Sequence, residues 1–192
     1  MPKARPEVLE FLLTRRSRPA KTLAGPVPDS AALMPMLTAA ARSPDHGKLE
    51  PWRFIVLESA AMARLADLTV SRGQTMDMDA TKLEKSRRQF GDAELAVAVV
   101  AAPVPSEKVP EVEQILSAGA VCLALLNAAL ASGWGANWLS SWMAYDRDFL
   151  RQGLDLSDHE FVAGFIHIGT ETNTPPERPR PDLATKVTWV NV

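Results

Sequence analysis

Six consecutive residues, Leu95-Ala96-Val97-Ala98-Val99-Val100, are apolar at every position, and this run constrains the fold more than any other part of the chain. A strand with one wet face alternates apolar and polar residues, whereas a strand apolar on both faces is covered on both sides. The run is therefore expected to be a central strand with helices on either side. A helix able to supply one cover follows it: from Glu111 to Ala131 the pattern is helical and, in its second half, apolar nearly all round, which places it at the middle of the structure. Gly133 and Gly135 end it.

The other elements mix helices and strands without a regular β-α-β alternation, so the expected class is α+β. Val8, Leu9, Leu12 and Leu13 mark a first helix behind Pro6, closing at Arg15. Leu33, Met34, Leu37 and Ala40 stripe a second, capped by Asp29 or Ser30, which Pro35 is expected to kink or to start late. Trp52 to Leu57 reads as a strand, and residues 59 to 72 and 79 to 90 as helices. Trp138 to Trp142 and Phe161 to Ile168 read as strands flanking a helix around Tyr145 to Gln152. Four prolines between Thr174 and Asp182 make a stiff arm, and the alternating run Lys186 to Val192 is expected to be a strand that this arm carries to another subunit.

Composition bounds the function. A chain of 192 residues suits one domain, 1–192, with 1–173 as core and 174–192 as arm and strand, and leaves little room for a separate cofactor domain. Twenty-one Lys+Arg against 23 Asp+Glu give a net charge of -2, so no overall basic field exists for nucleic acid. The N-terminal stretch lacks the apolar core of a signal peptide, and Ala118 to Ala131, interrupted by Asn127, falls short of a bilayer span; no membrane partner is expected. A lone Cys122 forms no intrachain disulfide and fits a reducing compartment, so the cytoplasm is the expected location.

Several chemistries lack their motifs. Gly133-Trp134-Gly135-Ala136-Asn137-Trp138 follows a helix and lacks the third glycine of a dinucleotide fingerprint. His46, His159 and His167 have no metal-ligand spacing, and His167, in an apolar run, reads as a packed, satisfied histidine. A hydrolase using His46 with Ser140 or Ser141 has no nucleophile elbow behind it. Two segments carry more. Arg15-Arg16-Ser17 closes the first helix, either as cations favoured at a helix C-terminus or as a guanidinium fork with a hydroxyl for an anion. Residues 41 to 54, ARSPDHGKLEPWRF, form a turn-rich loop dense in charge ahead of a strand.

The order helix, Arg-Arg-Ser, second helix, then Ser43-Pro44 followed by Pro51-Trp52-Arg53-Phe54 resembles the start of the nitroreductase family of FMN-dependent oxidoreductases. The Pro-Asp-His version in so short a chain resembles the compact bacterial NAD(P)H nitroreductases. The likeness extends through Ser117-Ala118-Gly119-Ala120, the glycine turn into Trp138, and Gly164 to Thr170. The resemblance implies a nitroreductase-like α+β fold, its central sheet mixed but mostly antiparallel, in a homodimer that exchanges the C-terminal strand and holds two FMN at the interface. It implies that Arg15, Arg16 and Ser17 hold the FMN phosphate and ribityl chain. Arg42 and His46 reach the flavin from the partner, Trp138, Leu139 and Ser140 line the ring, and Ala128, Ala129, Leu130, Ala131, Ser132 and Gly133 meet NAD(P)H. No residue acts as acid, base or nucleophile, because the flavin carries electrons from NAD(P)H to an electron-poor acceptor such as a nitroaromatic or quinone. Two positions depart from the pattern: Leu139 replaces a basic residue, and Glu50 replaces a glutamine. The alternative is a flavin-binding or storage protein of the same fold without turnover.

Overall fold

Strand β3 (Leu95–Ala101) is buried at all seven positions, as its apolar run requires. The computed structural model describes residues 3–191; Met1 and Pro2 of the expected domain, and Val192 of the expected terminal strand, lie outside the described residues. On one edge β3 pairs with β2 (Trp52–Glu58), on the other with β5 (Phe161–Glu171). The far edge of β5 takes β4 (Gly135–Leu139), and its end takes the two-residue β1 (Leu23–Ala24). Every described pairing is antiparallel.

Alternation along β3 divides the core in two. Ala96, Ala98 and Val100 face Phe90, Phe149, Phe165, Met62 and Leu65, beneath helices α3 (Ser59–Thr75), α4 (Ala80–Gly91) and α6 (Arg147–Leu154). Leu95, Val97 and Val99 face Met36, Val121, Leu125, Ile166 and Ile168, beneath α2 (Ser30–Ala40) and α5 (Glu111–Ala131). The result is the helix-sheet-helix sandwich that the doubly apolar strand calls for. The aromatic group is tight: Phe90 meets Phe165 edge-on at 5.1 Å and stacks on Phe149 at 5.8 Å between centroids. Cys122 sits inside the second core, where burial pushes its thiol up to about 12 and leaves it protonated.

Helix α5 is less enclosed than its composition suggests. At 21 residues, with an 18-residue stretch of mean hydropathy 1.8, it is long and apolar enough to cross a membrane, yet Val121, Cys122, Leu125 and Leu126 are packed in the protein. Its opposite side is bare: Val112, Leu116 and Leu123 are exposed, Leu116 by 67%, and nothing lies within 4 Å of where a Cβ on Gly119 would be. Helix α1 (Pro6–Thr14) buries no residue at all, with Val8, Leu9, Leu12 and Leu13 exposed. The expectation of a fully central helix is corrected to one with an uncovered apolar stripe.

Other boundaries shift for local reasons. Asp29 caps α2 by accepting a hydrogen bond from Ala32 N at 2.8 Å, so the helix begins at Ser30 and is not delayed by Pro35. Pro35 and Ala31 both lie on the exposed side, so the carbonyl that proline leaves without a helical donor is not buried. Strand β4 starts at Gly135, earlier than expected, and stops at Leu139, because Ser141 takes φ 87° and turns the chain into a 3-10 turn, Trp142–Ala144. The helix expected around Tyr145 to Gln152 runs Arg147–Leu154, capped by Asp146. Residues 186–191 form no strand within the chain and are exposed, Trp189 by 89%.

Candidate functional site

The chain leaves α1 with Arg15 in extended conformation (φ -59°, ψ 147°) and runs beside β4. Two bonds hold it there: Arg18 N donates to Ala136 O at 2.8 Å, and Asn137 Nδ2 donates to Arg18 O at 2.6 Å. This stretch presents Arg15, Arg16 and Arg18 in succession, and the proline arm returns Arg180, whose Nη2 approaches Arg15 O at 3.5 Å. Burial, then the neighbouring guanidiniums of Arg180 and Arg18, push the Arg15 pKa down. Glu171 lies 3.4 Å from Arg18 and Glu177 2.9 Å from Arg180. Glu177 also acts on Arg16 through space, yet Arg15 Nε and Arg16 Nη1 are buried without a hydrogen-bond partner among the described residues. Orphaned cationic donors are costly in a folded chain, and an anion placed between them removes that cost.

The cluster opens onto a cavity of about 520 Å³ lined by Arg15, Ser17, Leu123, Leu126, Trp138, Ser140, Tyr145 and Ala163. Its aromatic wall depends on β5. The register of β5 slips between Val99 and Val100 and leaves Ala163 unpaired with β3. The free Ala163 carbonyl accepts the Trp138 indole N–H at 3.2 Å, and a Cβ on Gly164 would collide with the indole. Bulge and glycine together lay Trp138 flat along the sheet.

Leu139 points to the other side of the sheet, as alternation requires. There it lines a larger crevice, about 1130 Å³, between α4 and the 3-10 turn Ala20–Thr22, and Ser140 is common to both spaces. Gln89 Nε2 donates to Ser140 O at 3.2 Å and Trp142 Nε1 to Ser86 Oγ at 3.1 Å, fixing α4 as the far wall. The structure thus brings Arg15, Ser17, Trp138 and Ser140 around one cavity, with Arg16 behind it and Leu139 in the adjoining crevice. The two spaces fit a ligand with a phosphate end and a flat apolar body, and 520 Å³ lies within the usual range of small-molecule pockets.

Arg42 and His46 are not part of this assembly within the chain. His46 Nδ1 lies 2.7 Å from Glu113 Oε2 on the first turn of α5, and the loop is fastened there by Trp52 Nε1 to Ser117 Oγ and by Ser117 Oγ to Pro44 O. Leu123, which lines the cavity, is ten residues further along α5, roughly 15 Å at 1.5 Å per residue. The pairing of His46 with Ser140 or Ser141 is therefore not formed within the chain. Ala128 to Gly133 end α5 outside both spaces; the Ala129 side chain is fully buried, while Ala131, Ser132 and Gly133 are exposed. Glu50 sits at φ 48° with its side chain exposed. His167 is packed as expected, but it is not satisfied: both ring nitrogens lack partners, and burial pushes its pKa down to about 4.

Sequence reasoning missed Arg18, Arg180, Tyr145, Gly164 and the α4 wall. The chain's only tyrosine, a glycine inside an apolar strand and an arginine within the proline arm were the available signals.

Comparison with known proteins adds an independent observation. The model of the nitroreductase family matches residues 13–170. The chain is 32% identical over 164 residues to the Escherichia coli K12 protein named "Putative NAD(P)H nitroreductase YdjA", covering 85% of this chain and 88% of that one. It is 35% identical over 166 residues, with the same coverage, to a Haemophilus influenzae protein named "Putative NAD(P)H nitroreductase". Among solved structures, a nitroreductase-like family protein from Bacillus cereus superposes with TM-score 0.80 at 18% identity, covering 99% of both chains. The FMN and NADPH-dependent nitroreductase NfnB from Sphigopyxis sp. strain HMH gives TM-score 0.74 at 16% identity, over 96% of this chain and 99% of that one.

Proposed function

The chain belongs to the nitroreductase family, and on that footing we propose that it is an FMN-dependent NAD(P)H oxidoreductase working as a homodimer. Its acceptor is an electron-poor molecule of the nitroaromatic or quinone kind. The observation that carries this reading is the pair of buried, unpartnered guanidinium nitrogens on Arg15 and Arg16 beside an aromatic-walled cavity. Arg15, Arg16 and Ser17, with Arg180 behind them, hold the phosphate of the flavin. Trp138 supplies a flat wall, Ser140 a polar contact where the two spaces meet, and Leu139 an apolar contact in the crevice. When bound, FMN supplies two-electron chemistry, oxidising NAD(P)H to NAD(P)+ and passing two electrons, with protons from solvent, to the acceptor.

Two uncovered faces support the dimer. The stripe Val112, Leu116, Leu123 of α5 and the residues Val8, Leu9, Leu12 and Leu13 of α1 are exposed apolar surface of the kind that a partner covers. Packing these faces on a second copy brings that copy's Arg42 and His46 towards the flavin and gives residues 186–191 an edge to pair with. Exposed residues at the end of α5, Ala131, Ser132 and Gly133 above all, then meet NAD(P)H, with Ala128, Ala129 and Leu130 contributing through the backbone.

The test is spectroscopic. Purified protein, supplied with FMN, is expected to show bound oxidised flavin and to bleach anaerobically with NADH or NADPH. Failure to take up FMN contradicts the proposal. Flavin that binds but is never reduced by either donor supports the non-catalytic flavin-binding alternative.

A further inference from the structure

Two bonds from one turn of α4 bracket a strained residue at the edge of the site. Ser86 and Gln89, three residues apart, share a face of the helix. Trp142 Nε1 donates to Ser86 Oγ at 3.1 Å, and Gln89 Nε2 donates to Ser140 O at 3.2 Å. The residue between these two attachments, Ser141, takes φ 87° and ψ 179°, a combination that is essentially confined to glycine. The other non-glycine residues at positive φ, Lys48, Glu50, Asp77 and Asp155, have φ from 48° to 55°, close to the left-handed helical range that side chains tolerate better. Strain of this kind persists only where the surroundings impose it.

The peptide plane between Ser140 and Ser141 turns as a rigid unit. A rotation of about half a turn would carry Ser141 to a φ of roughly -90°, which is ordinary extended backbone. The same rotation would aim the Ser140 carbonyl away from α4 and break its bond to Gln89. Gln89 therefore opposes the relaxation. No second donor reaches the Ser140 carbonyl, and the Ser141 N–H has no acceptor, among the described residues. With the carbonyl held towards α4, the Ser141 N–H across the trans peptide points the other way. Ser140 lines both the Arg15 cavity and the α4 crevice, so the orientation of this peptide decides whether a carbonyl or an N–H is offered to a ligand there.

We propose that Gln89 is a positioning residue for the flavin: it locks the Ser140–Ser141 peptide in its strained orientation, so that one fixed polar edge of the peptide meets the ring. This deepens the reading given under Proposed function and rests on it. The decisive variants are Gln89→Met, close in length but without a donor, and Ser141→Gly, which accepts φ 87° without penalty. Gln89→Met is expected to weaken FMN binding roughly tenfold, the scale of one lost hydrogen bond, and to shift the visible absorption band of the flavin that remains bound. Ser141→Gly added to Gln89→Met should recover most of that loss, because the bound orientation no longer needs a latch. A role for Gln89 in direct contact with the ring, or in the packing of α4 alone, predicts no such recovery. The measurements are FMN titrations of the parent, the two single variants and the double variant, with absorption spectra of each complex. Gln89→Met that binds FMN as tightly as the parent with an unshifted band overturns the proposal, and so does a loss that Ser141→Gly leaves in place. A parent protein that leaves FMN free overturns the underlying reading and the proposal with it, so the two failures are told apart by the parent titration alone.

Discussion

Arg15 is a residue whose surroundings disfavour it in the ligand-free chain, half-buried beside Arg18 and Arg180 with its Nε unpartnered. Removing it should therefore cost the empty protein little while weakening anion binding. Arg15→Ala is expected to leave the thermal midpoint of the apo-protein unchanged or raised, and to weaken FMN binding roughly 10- to 100-fold, as loss of one charge-assisted hydrogen bond of about 1.5–3 kcal/mol implies. A titration followed by flavin fluorescence, beside a melting curve, reads both. His167 makes the opposite case: neutral and unpartnered inside the core, with a pKa near 4 in place of 6.5. Its folded value lies below its unfolded one, so the stability it permits is full above pH 6.5 and falls away as pH drops towards 4, by roughly 3 kcal/mol at the lower end. His167→Leu should flatten the urea-stability profile between those pH values; an unchanged slope would assign the acid limb to other groups. Arg15, Arg16 and Ser17 were legible because adjacency in sequence made the motif. Arg18, Arg180 and Tyr145 were not, because only the tertiary path of the chain collects them.

Elements were read where their patterns are continuous and misread where one residue's backbone decides. Helix α5 matches its expected bounds, residue for residue, because a helical pattern with Pro110 before it and Gly133 soon after it marks both ends. Strand β4 does not, since Gly135 reads as a helix stop and only pairing with Gly169 makes it a strand residue. Its far end is set by the left-handed turn at Ser141, which no local composition announces. The bulge in β5 is equally silent in sequence, yet it frees the Ala163 carbonyl that fixes Trp138. Gly164→Ala is expected to push the indole off the sheet. The measurable outcome is a red-shifted, more quenchable tryptophan fluorescence and weaker FMN binding with the fold retained, checked by far-UV circular dichroism. Phe90, completely buried between Phe149 and Phe165, belongs to the element packing alone. Phe90→Ala should cost about 3–5 kcal/mol in a denaturant titration.

At the scale of the whole molecule, six apolar residues in a row foretold a covered central strand, and the two cores on either side of β3 follow from that one run. The same sequence also makes α5 apolar on the side that the sandwich does not use, and α1 apolar with none of its residues buried. A surplus of apolar surface on two helices, a cavity whose other expected contacts sit roughly 15 Å away along α5, and a terminal segment without a strand partner among the described residues are the features that the proposed dimer accounts for. Val112→Glu/Leu116→Glu is expected to convert the proposed dimer to monomer in sedimentation and to lose FMN with it, although neither residue lines the cavity. The claim at the centre is that the Arg15–Arg16 cluster and the adjoining cavity hold a flavin that NAD(P)H reduces. Anaerobic titration of the FMN-supplied protein with NADH and NADPH tests it most directly: the account expects one tightly held flavin per chain, bleached by stoichiometric donor, and a protein that leaves added FMN free in solution would contradict it.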